Sequence, residues 1–309
     1  MKVLVTGARG FVGRCVCTRL QRDGFNVLKG SRFATIDEFD RVTPELDDNS
    51  DWSEVLTGVG VVVHLAARAH ITLNKDSNKV EEIYDRINAR GTERLADQAR
   101  EAGVKHFVFL SSCHAVASSS DVILNSATAP GPDSAYGRSK LAAERKLENS
   151  LRSSNTSFTI LRPPLVYGPG NLANFAKLFS LVRSGLPLPF GNIQNRRSFI
   201  GVENLADVIR HCIDCPVAFG KRYFPSDGPT VSTPDLIREI ASSMSMPARL
   251  VPIPETWLSF AAQLPGFAAI GKLTSSLFVD SAELMSDVQW SPRLTLAQGL
   301  SRIAHTRPE

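Results

Sequence analysis

Short apolar runs alternate with amphipathic stretches through the first half of the 309-residue chain. Runs rich in Val, Leu, Ile and Phe at residues 2–5, 26–28, 59–64, 105–111 and 157–162 predict strands. They show little in–out alternation, which is the pattern of strands covered on both faces. Helical spacing fills residues 11–23, 80–102 and 134–149. Strand, helix, strand in regular succession predicts an α/β fold, a Rossmann-type doubly wound parallel sheet with helices on both sides.

The rhythm breaks after Arg162, where Pro163-Pro164, Gly168-Pro169-Gly170 and the Pro-rich residues 185–189 follow one another. The expected division puts a first domain at 1–166, rejoined by about 196–228 because a strand-like stretch at 221–224 can return to the sheet. Residues 167–195 and 229–309 then form a smaller, mostly helical second domain. Residues 117–132 form a long polar loop rich in Ser, and a loop of that length inside a compact domain is usually functional.

Charge excludes some partners. The 35 basic and 31 acidic residues leave a net charge of +4, with no long like-charged run to serve as an arm for nucleic acid. No stretch is apolar enough for a secretory signal or a membrane span. Cys212-x-x-Cys215 is half of a zinc motif with no second half, so no metal is expected. The five cysteines read as free thiols of a reducing, cytosolic protein.

The chemistry begins at Thr6-Gly7-Ala8-Arg9-Gly10-Phe11-Val12-Gly13, directly after the first strand and opening a helix. Gly7 permits a tight turn, Gly10 lets backbone approach a pyrophosphate, and Gly13 lets the helix pack closely on the strand. The helix N-terminus offers unpaired N–H groups and a positive dipole to that anion. The first domain is therefore expected to bind a dinucleotide. NAD sites usually place an acid at the end of the second strand, but here Ser31 and Arg32 stand there. A hydroxyl and a guanidinium suit a 2′-phosphate, so NADP is favoured over NAD.

Tyr136 and Lys140 lie four residues apart on a predicted helix, so both reach one site. A phenol with an ordinary pKa of about 10 is a poor base, and a neighbouring ammonium favours its ionised form. Such a pair can exchange a proton with a sugar hydroxyl while hydride leaves the same carbon.

These motifs resemble those of extended short-chain dehydrogenases/reductases of the NAD-dependent epimerase/dehydratase family. Leu65-Ala66-Ala67-Arg68, Ser111-Ser112, Arg162-Pro163-Pro164-Leu165-Val166-Tyr167-Gly168 and Arg197-Ser198-Phe199-Ile200 carry the likeness further along the chain. The resemblance implies that Ser112 is the catalytic hydroxyl, Tyr136 the base and acid, and Lys140 the ribose-binding lysine. It puts Leu65, Ala66, Ala67, Arg68 and Ser111 beside the cofactor, Glu45 and Leu46 at the adenine, and Pro163 and Val166 along the nicotinamide. Asn88 packs behind the site. Asn171, Asn174 and Phe175 begin the substrate site, and Arg197 grips the substrate diphosphate.

Two departures limit the activity. Cys113-His114 replaces the Asp-Glu pair of the family's dehydratases, so 4,6-dehydration is not expected. His114 is left as a donor to the sugar or a plain loop residue, and Val116-Ala117-Ser118 replaces the common Val-Tyr-Gly. The resemblance points to UDP-sugars of bacterial surface-polysaccharide synthesis and to a homodimer. The first expectation is a reductase of a UDP-4-keto-6-deoxy-N-acetylhexosamine. The alternatives are a UDP-hexose or UDP-N-acetylhexosamine 4-epimerase with bound NAD, and a catalytically silent dinucleotide sensor, which the presence of both Tyr136 and Lys140 disfavours.

Overall fold

The computed structural model describes residues 1–33, 39–69, 77–170, 174–262, 271 and 273–305. Its main sheet has seven parallel strands in the order β3-β2-β1-β4-β5-β6-β9. These are β1 (Lys2–Thr6), β2 (Asn26–Ser31), β3 (Asp40–Val42), β4 (Val61–His64), β5 (His106–Leu110), β6 (Ser157–Leu161) and β9 (Lys221–Tyr223). Order reverses between β1 and β4, and in such sheets ligands bind outside the carboxyl ends of the strands at that point.

The apolar runs work as expected. Val3 and Val5 of β1 face one core with Val16 and Leu20 of α1 (Phe11–Arg22), while Leu4 between them faces the other. Val61 and Val63 against Val62 repeat the split on β4. The first face is closed by α1 and α6 (Val202–Cys212), the second by α3 (Gly91–Glu101) and α4 (Ala135–Leu151). Each fully buried Val or Leu contributes about 1.5–3 kcal/mol, so register is fixed on both sides.

Three features differ from the sequence pattern. The predicted helix at 80–102 is split into α2 (Ser77–Tyr84), a π-helical turn over Asp85–Arg90, and α3. Periodicity cannot reveal the inserted residue of a π turn, and such turns often mark functional sites. The strand β3 carries the polar sequence Asp-Arg-Val at the sheet edge, so it has no apolar signature. A second, two-stranded parallel sheet pairs β7 (Leu165–Tyr167) with β8 (Phe199–Gly201).

Beyond it, α5 (Asn174–Arg183) and α7 (Thr233–Ser243) close a separate apolar cluster containing Tyr167, Phe179, Ile237 and Leu300. Among the described residues, no helix is long and apolar enough to cross a membrane. None of these residues form a group of three or more His, Cys, Asp or Glu that could hold a metal.

Candidate active site

A cleft of about 470 Å³ opens at the carboxyl ends of β1, β2 and β4. Gly7, Arg9 and Gly10 line one wall, and Ala66, Ala67 and Arg68 another. Gly7 has φ +68° and lies against β4's exit, where a Cβ would come 2.9 Å from the Ala66 nitrogen. Gly13 packs onto the Gly7 carbonyl with no room for a side chain. Gly10 is the N-cap of α1 with no side-chain cap and no acid in the first turn, so the helix start is free for an anion. These features fit a dinucleotide pyrophosphate. Phe11, Val12 and Leu65 are half-buried behind the loop; Val12 and Leu65 pack on the core.

The far end of the cleft is lined by Ser31, Arg32, Glu45, Leu46, Asp47 and Trp52. Ser31 is buried and its Oγ accepts from the Phe33 N–H at 3.3 Å. Arg32 is 56% exposed, with its guanidinium 3.9 Å from the Glu45 carboxylate. Trp52 is absent from the sequence reading. It is buried beneath the cleft, and its Nε1 has no hydrogen-bond partner among the described residues. Nothing in the sequence around it marks it as a cleft residue.

The residues expected to carry the chemistry gather at the other side. Ser134 caps α4 by accepting from the Gly137 N–H at 3.1 Å, which starts the helix one residue before Tyr136. Tyr136 is half-buried, with the Ser112 hydroxyl close enough to act on its phenol. The Tyr84 and His114 rings meet the Tyr136 ring edge-on at 6.0 and 6.3 Å. Burial pushes its phenol up to about 12, the Cys113 thiol and Tyr84 phenol push the same way, and only the Ser112 hydroxyl opposes them. Lys140 is 2% exposed, with Nζ 4.4 Å from the centre of the Phe109 ring. Burial lowers its ammonium to about 7, against the pull of the Glu144 carboxylate.

Glu144, one turn further on, is 1% exposed and receives the Arg162 guanidinium in a bidentate pair at 2.5–3.2 Å. Ser111 donates to the same carboxylate, so its side chain faces this pair, although the resemblance put it beside the cofactor. The Ser112 turn is held by the Cys113 N–H donating to the Pro163 carbonyl at 3.0 Å. Pro163 is buried and Val166 is half-buried on β7. Asn88 joins the two ends of the site. Its side chain accepts from the Arg68 N–H at 2.8 Å and donates to the Arg68 carbonyl and to the Ser139 hydroxyl, each at 3.0 Å.

Arg197 lies near the Ser112 turn, where its charge acts on the Cys113 thiol and burial lowers its own pKa. Its Nη1 donates to the Ser275 carbonyl at 3.0 Å. Ser275 belongs to a second cavity of about 500 Å³, lined by Ser119, Ser120, Asp121, Gln194, Asn195 and Thr274–Ser276. Every lining side chain is polar. These residues come from three distant segments and carry no motif, so the sequence reading found only the long loop at 117–132. Phe175 is buried against Tyr167 and Phe199 at ring distances of 5.5 and 5.8 Å, a core position rather than a cavity wall. Asn171 lies outside the described residues, as does the side chain of Asn174.

The Epimerase model of the NAD dependent epimerase/dehydratase family matches residues 3–223. A UDP-glucose 4-epimerase of Vibrio cholerae is 36% identical over 98% of this chain and 94% of its own length. Among solved structures, MoeE5 in complex with UDP-glucuronic acid and NAD superposes with a TM-score of 0.78 at 26% identity, over 98% of this chain and 97% of that one. A UDP-N-acetylglucosamine 4-epimerase from Bacillus cereus gives 0.79 at 22% identity over 98% of each chain, a likeness of fold.

Proposed function

The chain belongs to the NAD dependent epimerase/dehydratase family, and from that premise we propose that it inverts C4 of a UDP-linked hexose by removing and returning hydride there. The observation that carries this reading is the Ser112–Tyr136–Lys140 group, in which the Ser112 hydroxyl acts on the Tyr136 phenol, joined through Asn88 to the wall of the dinucleotide cleft. When bound, the nicotinamide ring supplies the hydride acceptor and donor.

The protein's own residues handle the proton. In the free site the Tyr136 phenol is protonated at neutral pH, the form that returns a proton to a C4 ketone. To remove a proton from the C4 hydroxyl it needs positive charge nearby, which Lys140 provides in its ammonium form. Ser112 holds the reacting oxygen. Cys113 and His114 offer no carboxylate for eliminating water at C5–C6, so the keto sugar is reduced again rather than dehydrated. The 36% identity to a UDP-glucose 4-epimerase supports this course, and Arg197 is the residue that would meet the diphosphate.

A reductase of UDP-4-keto-6-deoxy-N-acetylhexosamine is the second reading. It is favoured by Ser31 and Arg32 on the cleft rim, which suit the 2′-phosphate of NADPH. One experiment separates the two. The purified protein is denatured, the released nucleotide is identified by mass spectrometry, and fresh protein is incubated with UDP-glucose and UDP-N-acetylglucosamine without added cofactor. Released NAD and formation of the galacto product support the epimerase. Turnover only of the 4-keto sugar, with loss of NADPH absorbance, replaces it with the reductase.

A further inference from the structure

The residues joining β1 to α4 form a buried polar chain whose protons can be assigned one by one. Thr92 on α3 donates its hydroxyl proton to the Asn88 carbonyl at 2.6 Å. Its oxygen lies 3.0 Å from His64 Nε2, and with its proton already used it can only accept there. His64 therefore carries its proton on Nε2, and Nδ1 accepts from the Thr6 hydroxyl at 2.7 Å. The Thr6 oxygen in turn accepts from the Leu65 and Ala66 N–H groups, each at 3.2 Å. Asn88 continues the chain to Arg68 and to Ser139, whose hydroxyl donates to the Tyr136 carbonyl at 2.8 Å.

The central links are shut off from solvent: Thr6, His64, Asn88 and Thr92 are each at most 1% exposed. The His64 ring is also stacked on Phe109, centroids 5.6 Å apart, the ring that carries Lys140 Nζ on it. A fully satisfied buried network of this kind specifies one geometry. Burial and the Lys140 charge hold His64 neutral, down to about 3, so the assignment persists across the working pH range.

We propose that His64 is a positioning residue which, through Thr6 on one side and Thr92 on the other, sets the distance between the Gly7–Ala66 cofactor wall and the helix carrying Tyr136. This rests on the reading of the site as dinucleotide-dependent. His64→Phe keeps the stacked ring and removes both hydrogen bonds. Thr92→Val keeps the shape and removes the acceptor, while Thr92→Ser keeps the hydroxyl.

The test titrates NADH and NADPH fluorescence on each folded variant and measures turnover of UDP-sugar. His64→Phe and Thr92→Val are expected to raise the dissociation constant of the cofactor bound by the wild type about tenfold, and to lower kcat with KM for the sugar nucleotide little changed. Thr92→Ser is expected to stay within about twofold of wild type. Lowered thermal stability with cofactor affinity and kcat both unchanged overturns the proposal, since that is what a purely structural link does. If His64→Phe does not fold, the Thr92→Val and Thr92→Ser pair decides alone. Cofactor titration needs no UDP-sugar, so a wild type that binds NADH but turns over no UDP-sugar overturns the assigned reaction and leaves this test standing.

Discussion

The cofactor wall of the dinucleotide cleft and the wall of the second cavity, beside Arg197, are built by opposite means. The cofactor wall is backbone held by backbone: Gly7 against Ala66, Gly13 against Gly7, and a buried hydroxyl at Thr6 drawing in two N–H groups. The second cavity, beside Arg197, is side chains on loops, brought together by long-range bonds such as Asn195 Nδ2 to the Leu273 and Ser275 carbonyls, both at 3.0 Å. A ligand part common to a whole family suits a wall in which few substitutions fit. A ligand part that varies suits a wall whose residues can change without disturbing a sheet.

The sharpest test of this contrast separates chemistry from binding. Tyr136→Phe removes only the phenolic hydroxyl, on which Ser112 acts. Loss of a positioned acid–base group should lower kcat about 10⁴-fold, while NADH affinity stays within about twofold, because no cleft backbone moves. Steady-state rates beside fluorescence titration check this. A variant that loses cofactor binding as well would mean that the phenol belongs to the cofactor wall.

The second test removes the ion pair beneath α4. Glu144→Gln leaves the Arg162 guanidinium, 3% exposed, without an opposite charge. Breaking a buried pair from one side costs about 3 kcal/mol or more, which denaturant titration reads directly. Stability within about 0.5 kcal/mol of wild type would show that the pair is better solvated than its burial implies.

The third uses pH. Lys140 in the free protein sits near 7, lowered from 10.5 by burial. If bound ribose hydroxyls and a phenolate favour its ammonium, the complex holds more protons than the free protein above pH 7. Affinity is then fully present below pH 7 and falls as pH rises above it, by at most about tenfold per unit. The slope should vanish in Lys140→Met. A flat profile for the wild type would mean that the ammonium is already charged before the cofactor arrives.

How much was legible in the sequence follows the same division. The glycine turn, the Val- and Leu-rich strands and the Tyr136–Lys140 spacing are local patterns, and the fold places each where its pattern implies. The π turn that aims Asn88 was hidden, because one inserted residue leaves helical spacing almost intact. Thr274–Ser276 and Asn195 were hidden because each is an ordinary polar residue until the chain brings 80 positions together. Phe175 follows the family's pattern at a substrate site, and its packing in the aromatic core beside Tyr167 could not be read from that pattern.

Arg32 lies where the two kinds of wall meet. Its neighbour Ser31 is buried and fixed by the Phe33 N–H, as cofactor-wall residues are, but Arg32 is 56% exposed and only 3.9 Å from the still more exposed Glu45. A 2′-phosphate must compete with that carboxylate and with water for the guanidinium. The gain is therefore that of an exposed pair, about 1 kcal/mol or less, and Arg32→Ala should lower the preference for NADPH over NADH by about fivefold. The shift should shrink as salt rises, because an exposed pair is screened. Glu45→Gln should act the opposite way, freeing the guanidinium and raising the same ratio. If neither substitution moves the ratio, the rim does not read the 2′-position, and the reductase course loses the observation that favours it.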